Sequence, residues 1–321
     1  MTNSVNQIFA IESGNLPDLF KCIDKLYKTH NKKGNIYAQS LSRSITPSWK
    51  PWHSGFMATL KVPHLPMHWH EAMEILFCLN GDVTVHVDHE TISLSHKQLI
   101  VFDSKEVHSI HCNSKLYMFL CIHIDKKQLS VYCPDLELYN IKCRPLPLDD
   151  PKSTPYIHLC QLAHDLTRTN MQNESTSAMR SDGTALLMLA DLIRYFSVYS
   201  PPETSSSQSQ PNNTIRESIT YINEHYTEKL SLDEVAAQTG FSKEYFCRFF
   251  KQHMGITFLR YLNEVRISHA GRLLTTTDLS VSEVMNQSGF TNQTIFNRLF
   301  KELYGVTPRE IRNNTLEKKY P

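Results

Sequence analysis

His68, His70 and Glu74 fall in the pattern H-x-H-x-x-x-E, and His108 stands further along the chain. Alternate residues on a strand, two positions apart, point to the same side. Three imidazoles and a carboxylate make a donor set suited to a divalent transition metal. A different chemistry is loaded near the C-terminus, on one face of each of two short helical stretches. The outward positions of the first are Lys243, Glu244, Cys247, Arg248 and Lys251. Those of the second are Asn292, Gln293, Thr294, Asn297, Arg298 and Lys301. Arginine pairs bidentately with guanine edges, and asparagine or glutamine with adenine, so these faces suit double-stranded DNA. Lys251 and Lys301 suit phosphates, which position a domain without reading sequence.

Both C-terminal stretches belong to an internal repeat. Leu232–Phe241 reads LDEVAAQTGF and Val281–Phe290 reads VSEVMNQSGF, 49 positions later. RFFKQHMGIT from Arg248 then matches RLFKELYGVT from Arg298 at a spacing of 50, so one residue is inserted within the second copy. Such similarity at a fixed period marks a duplicated supersecondary unit. Ser231 with Glu234, and Ser280 with Glu283, predict a capping box at each helix start. Gly240 and Gly289 predict left-handed turns. Ser242 and Thr291 are expected to cap the second helix of each copy. Two short helices joined at a glycine turn, the second exposed, describe a helix-turn-helix. Between the copies, Thr257–Leu274 carries Leu259, Leu262, Val265, Ala270, Leu273 and Leu274 largely on one face. As one helix it would rise about 27 Å, holding two recognition helices near the roughly 34 Å of one DNA turn.

Upstream the pattern changes to short apolar or alternating runs: Phe56–Val62, Glu74–Cys78, Val83–Val87, Ile92–Leu94, Leu99–Phe102 and Tyr117–Ile124. Such spacing predicts an antiparallel sandwich or barrel. A helix is expected at Pro17–Lys28, and two more at Tyr156–Asn170 and Ser177–Tyr199. The last carries an apolar stripe of Leu186, Leu187, Leu189, Ala190, Ile193 and Phe196, wide enough to cover a core and meet a second subunit. The fold class expected is multidomain α+β. A β domain with an N-terminal arm and helix occupies 1–150, a helical dimerisation segment 151–200, a Ser/Pro/Asn-rich linker 201–213 and an all-α domain 214–321.

Composition narrows the function classes. A net charge of +1 gives no bulk attraction to nucleic acid, so any DNA grip must be local. The eight cysteines are scattered without a C-x-x-C pair, which fits reduced thiols better than a disulfide framework. Met1 to Asn15 lacks a basic segment followed by an apolar core, so no signal peptide is expected. No apolar run approaches the ~20 residues of a membrane span. The expected location is the cytoplasm.

With the segments GFSKEYFCRFFKQHMG, YLNEVRISHAGRLL, GFTNQTIFNRLFKELYG and VTPREIR in place, residues 214–314 resemble the DNA-binding domain of AraC/XylS-type regulators. Met285 departs from the small residue usual at that position and should be accommodated by local repacking. The resemblance implies base reading at Glu244, Cys247, Arg248, Gln293, Thr294, Asn297 and Arg298. It also implies a transcription activator rather than an enzyme, working with RNA polymerase; the expectation of a homodimer rests on the apolar helix Ala185–Tyr199. His68, His70 and Glu74 resemble the first cupin motif, with His108 in place of the second motif's histidine. Lys97 to Val107 lacks the glycine and proline usual before that histidine. Regulators of this kind often carry a metal-free sugar-binding barrel, so no cofactor is expected. The alternative is a divalent metal on His68, His70, Glu74 and His108. The expected effector is a small molecule, a carbohydrate by preference, because Trp49, Trp52 and Trp69 cluster around the motif and tryptophan faces stack on sugar rings. Rival readings are a metal-dependent cupin enzyme and a regulator with no effector.

Overall fold

The computed structural model describes residues 52–58, 64–87, 90–113, 117–171, 175–200 and 209–319. The helix expected at Pro17–Lys28, the N-terminal arm and Trp49 lie outside the described residues.

The β domain is built from two four-stranded antiparallel sheets. β1 (Trp52–Ala58), β8 (Met118–Ile124), β3 (Met73–Asn80) and β6 (Leu99–Phe102) form one, in that order. β2 (His64–His68), β7 (His108–Cys112), β4 (Val83–Val87) and β5 (Glu90–Leu94) form the other. Period-two side-chain alternation explains how they pack. On β4 the valines at 83, 85 and 87 are buried, while Thr84 and His86 lie further out. They meet Leu76, Cys78, Ile100 and Phe119 of the facing sheet in one apolar cluster. The other face of β3, Ile75 and Phe77, packs instead beneath helices α1 (Ser153–Met171) and α2 (Ser177–Phe196) through Leu159, Leu166, Met188 and Leu192. β3 is therefore buried on both sides, and Glu74 shares the parity of Leu76 and Cys78, facing the interior between the sheets.

The structure revises several boundaries. The helix expected to run to Tyr199 stops at Phe196, and Ser197–Tyr199 forms β10, paired with β9 (Tyr139–Ile141). Val198 and Tyr199 suit a strand, and the partner edge sixty residues away leaves no periodic signal. On α2, Ala185, Met188, Leu189, Leu192 and Phe196 are buried, whereas Leu187 and Ala190 turn outward. The linker expected at 201–213 is shorter, because helix α3 (Ser209–His225) already begins within it. Pro211 lies in the first helical turn, where a missing N–H is tolerated. No apolar or alternating run marked β2 beyond the H-x-H pattern at its end, and its five residues are all half-buried.

The helical domain follows the duplicated plan. α4 (Leu232–Gln238) and α5 (Lys243–Met254) form the first unit, α7 (Val281–Gln287) and α8 (Gln293–Tyr304) the second, and α9 (Pro308–Lys319) closes the domain. Both capping boxes form, at Ser231 with Glu234 and at Ser280 with Glu283. The connecting helix α6 (Phe258–Thr276) puts Phe258, Tyr261, Leu262 and Val265 into the first unit's core, and Ile267, Ala270 and Leu274 into the second's. Met285 packs at the edge of that second core. The cap of α8 is Asn292, whose side chain accepts from the Ile295 N–H, and not Thr291. Thr291 is thus the inserted residue, and Asn292 occupies the place of Ser242.

The two turn glycines differ in their surroundings. Gly240 and Gly289 have φ of +71° and +80°. A Cβ on Gly240 would meet nothing within 4 Å, but on Gly289 it would lie 2.8 Å from the Tyr226 carbonyl oxygen. Gly240→Ala should therefore cost about 1–2 kcal/mol from backbone conformation alone. Gly289→Ala should cost about 1 kcal/mol or more beyond that, because an overlap is added. Urea unfolding of both variants checks this, and equal losses would refute the close approach at Gly289.

Candidate functional site

The ends of three strands meet inside the β sandwich. His68 closes β2, His70 follows just before the bend at 71–72, Glu74 sits near the start of β3 and His108 opens β7. Their ligand atoms all lie within 4.8 Å of one another. His123 on β8 pairs in register with Glu74, a neighbour for which the sequence offered no motif. The Nε2 atoms of His70, His123 and His108 lie 2.9, 3.4 and 3.5 Å from the same carboxylate oxygen, Glu74 Oε2. Its other oxygen accepts from the Cys121 thiol at 3.3 Å. The His108 ring also stacks on Phe102, with centroids 3.9 Å apart.

The backbone fixes the tautomers. Nδ1 of His68, His70 and His108 lies 2.9, 2.8 and 2.9 Å from the carbonyl oxygens of Pro66, Ala72 and Glu106. A carbonyl can only accept, so each Nδ1 carries the proton and each Nε2 is turned toward the cluster. Carbonyl support of this kind orients metal-ligating imidazoles. Burial, with His108 and His70 adding to it, lowers His68 to about 3, leaving a neutral imidazole whose Nε2 lone pair is free. Burial opposes charge on Glu74 too, but His123, His108 and His70 override it and hold the carboxyl well below its ordinary range. For His70, burial pulls downward while the hydrogen bond and charge of Glu74 win, so its affinity for a proton is raised.

These residues fit a divalent transition ion. His108 is fully buried, and among the described residues its Nε2 has no hydrogen-bond partner nearer than the Glu74 oxygen at 3.5 Å. His68, His70, His108 and Glu74 would hold the ion, which when bound would cross-link three strands of the two sheets. The absence of a glycine and proline before His108 does not displace it, because β7 pairs with both β2 and β4 and sets its position independently.

Trp69 corrects an expectation. It does not join the histidines as a stacking platform, because the alternation that sends His68 and His70 inward sends Trp69 outward. Its side chain packs against the core of the first helix-turn-helix, and its Nε1–H donates to the Arg216 carbonyl at 3.2 Å. Trp52 is placed on β1, and its side chain is outside the described residues.

The residues expected to meet nucleic acid are exposed on both helices. Lys243, Glu244, Cys247, Arg248 and Lys251 on α5 are all exposed, as are Gln293, Thr294, Asn297, Arg298 and Lys301 on α8. Phe246, Phe249 and Phe250, and Phe296, Leu299 and Phe300, anchor the opposite sides of these helices. Lys243 is partly engaged by Asp233 of α4 at 2.7 Å. Arg298 pairs more loosely, with Glu302 at 3.8 Å.

Comparison with known proteins agrees with this division. Residues 228–314 match the family described as a helix-turn-helix domain, and residues 60–123 match the cupin domain family. An uncharacterized HTH-type transcriptional regulator of Staphylococcus aureus strain MRSA252 is 29% identical over 177 residues, covering 54% of this chain and 23% of the relative. The regulatory protein PocR of Salmonella typhimurium is 29% identical over 119 residues, covering 37% of this chain and 39% of PocR. The chain thus spans less than a quarter of the length of the staphylococcal relative. Among solved structures, the C-terminal domain of AraT, a response regulator from Geobacillus stearothermophilus, is 32% identical, covering 32% of this chain and 84% of that domain at a TM-score of 0.30.

Proposed function

We propose that this chain, a member of the AraC/XylS-type regulators by its cupin domain and paired helix-turn-helix units, reads double-stranded operator DNA under the control of an effector held in its β sandwich. The observation that carries the DNA reading is the exposure of a cation-bearing face on each of two helices joined by α6, with amides added on α8. At 19 residues α6 is long enough, about 28 Å, to serve successive turns of a duplex. Chromatin immunoprecipitation of the full chain, followed by mobility shifts on the recovered duplexes, tests it. Binding indifferent to sequence would overturn it.

The effector favoured is a divalent transition-metal ion at His68, His70, Glu74 and His108. The converging Nε2 atoms support it, and the outward turn of Trp69 removes one of the three tryptophans that favoured a carbohydrate. Metal analysis of protein purified without a histidine tag should return about one ion per chain. Its absence, with calorimetric binding of a sugar, would restore the carbohydrate reading.

The same proposal makes the protein a homodimeric activator that acts with RNA polymerase in the cytoplasm. Leu187 and Tyr195 on α2 remain 57% and 37% exposed in the single chain, which favours a second copy against this helix. Sedimentation at micromolar concentration should give a dimer, and a monomer would sink that part.

A further inference from the structure

The short segment His64–His70 does two things at once. The β2–β7 register slips between Leu65 and His68, a bulge that changes which parity faces inward. Leu65 therefore packs in the inter-sheet core, and His68 three residues later joins the cluster. The outward residues of the same segment seat on the helical domain. His64 Nε2 donates to Glu264 of α6 at 3.1 Å, and the Tyr261 hydroxyl of α6 donates to the Met67 carbonyl at 2.7 Å. Met67 and Trp69 pack against the core of the first helix-turn-helix, and Trp69 also bonds the backbone of α3.

The seat is firm at these points and open beside them. Glu264 is 7% exposed and also accepts from Arg260 Nε at 2.6 Å. Burial pushes its carboxyl upward, but His64 and Arg260 hold it below the ordinary range. Arg260 continues to Glu302 on α8 at 2.5 Å, the carboxylate that also faces Arg298. Next to this chain of charges lies a cavity of about 750 Å³, bordered by Met67 and Val107 on one side and Ile215 and Ile256 on the other. The seam is thus held by a few polar contacts and the packing of Met67, Trp69 and Val107, with this void beside them.

We propose that His64–His70 is a coupling strand: seating His64, Met67 and Trp69 on the helical domain gathers His68 and His70 for an ion, so docking and ion binding favour one another. This rests on the metal reading of the histidine cluster. In the docked form the ligand atoms are already within 4.8 Å of one another, and the Pro66 carbonyl that orients His68 lies between the docking residues. Releasing the helical domain frees that backbone and loosens two of the four ligands. Linkage makes the effect reciprocal, so an ion in the cluster holds the helical domain in its seated position.

Tyr261 and Glu264 are distant from the cluster in sequence and on the other side of the seam, which makes them positioning residues that can be tested separately from the ligands. Full-length wild type, Tyr261→Phe and Glu264→Gln are titrated with cobalt(II), read by its ligand-field absorption. Both variants should bind roughly 5-fold or more weakly, the lower end of ordinary coupling between sites. His64→Ala, on the β-domain side of the same contact, gives the comparison if a helical-domain variant folds poorly. Wild type that binds one cobalt while every folded variant binds it equally well overturns the coupling and leaves the metal site standing. Wild type that takes up no cobalt removes both.

Discussion

His108→Ala is expected to abolish stoichiometric binding of cobalt(II) or zinc(II), lowering affinity by more than 100-fold. Loss of a partner that merely supports a ligand costs about 10- to 100-fold, and His108 is itself one of four donors. Its replacement leaves two imidazoles and one carboxylate of the four gathered donors. The residue is fully buried and stacked on Phe102, so alanine also leaves a void and lowers stability. Glu74→Gln separates the two effects. It preserves volume while removing the carboxylate on which His70, His123 and His108 converge. Calorimetry on the two variants, with circular dichroism to confirm folding, should show weak or absent binding in both. Wild-type affinity in either would mean that the histidines are structural. His123→Ala should fall between wild type and His108→Ala, since it contacts Glu74 and is not among the four gathered donors.

The helical domain was legible almost residue by residue, because its signals are local. A capping serine, a glutamate three residues on and a glycine at the turn each specify a backbone state within a few positions, and the duplication repeats each signal. The one local misreading, Thr291 for Asn292, arose at the inserted residue, where two adjacent side chains can both cap. The β domain was legible as a pattern of strands, but its pairings join distant residues. His123 entered the cluster through its register with Glu74, and β10 formed because β9 offered an edge. Trp69 shows the limit most directly. Alternation along the strand fixed its direction once His68 and His70 were known to face inward. What it faced was set by α3 and α6, more than a hundred residues away. A half-buried five-residue strand such as β2 has neither an apolar run nor clean alternation, so the segment proposed to couple the domains carried no signature beyond the H-x-H pair His68 and His70.

Arg298→Ala is expected to weaken binding to an operator selected from random duplexes by about 1–3 kcal/mol, or roughly 5- to 150-fold, and to relax selectivity at one base pair. The side chain is 67% exposed in its ion pair with Glu302, and that contact is 3.8 Å long, so little holds it away from a groove. Lys301→Ala is the control. A phosphate contact carries no sequence information, so its loss should weaken all duplexes alike and reduce the salt dependence by about one counterion. With a net charge of +1, the chain has no diffuse field to compensate, and each placed cation should register clearly. Lys243 should matter less than Lys301, because Asp233 already engages it at 2.7 Å. The decisive measurement is a double comparison: wild type and Arg298→Ala, each on the selected operator and on operators altered one base pair at a time. At the pair read by Arg298, alteration should cost the wild type several-fold and the variant almost nothing. Equal penalties at every position would mean that Arg298 only touches phosphate, and that base reading by the second unit rests on Gln293, Thr294 and Asn297.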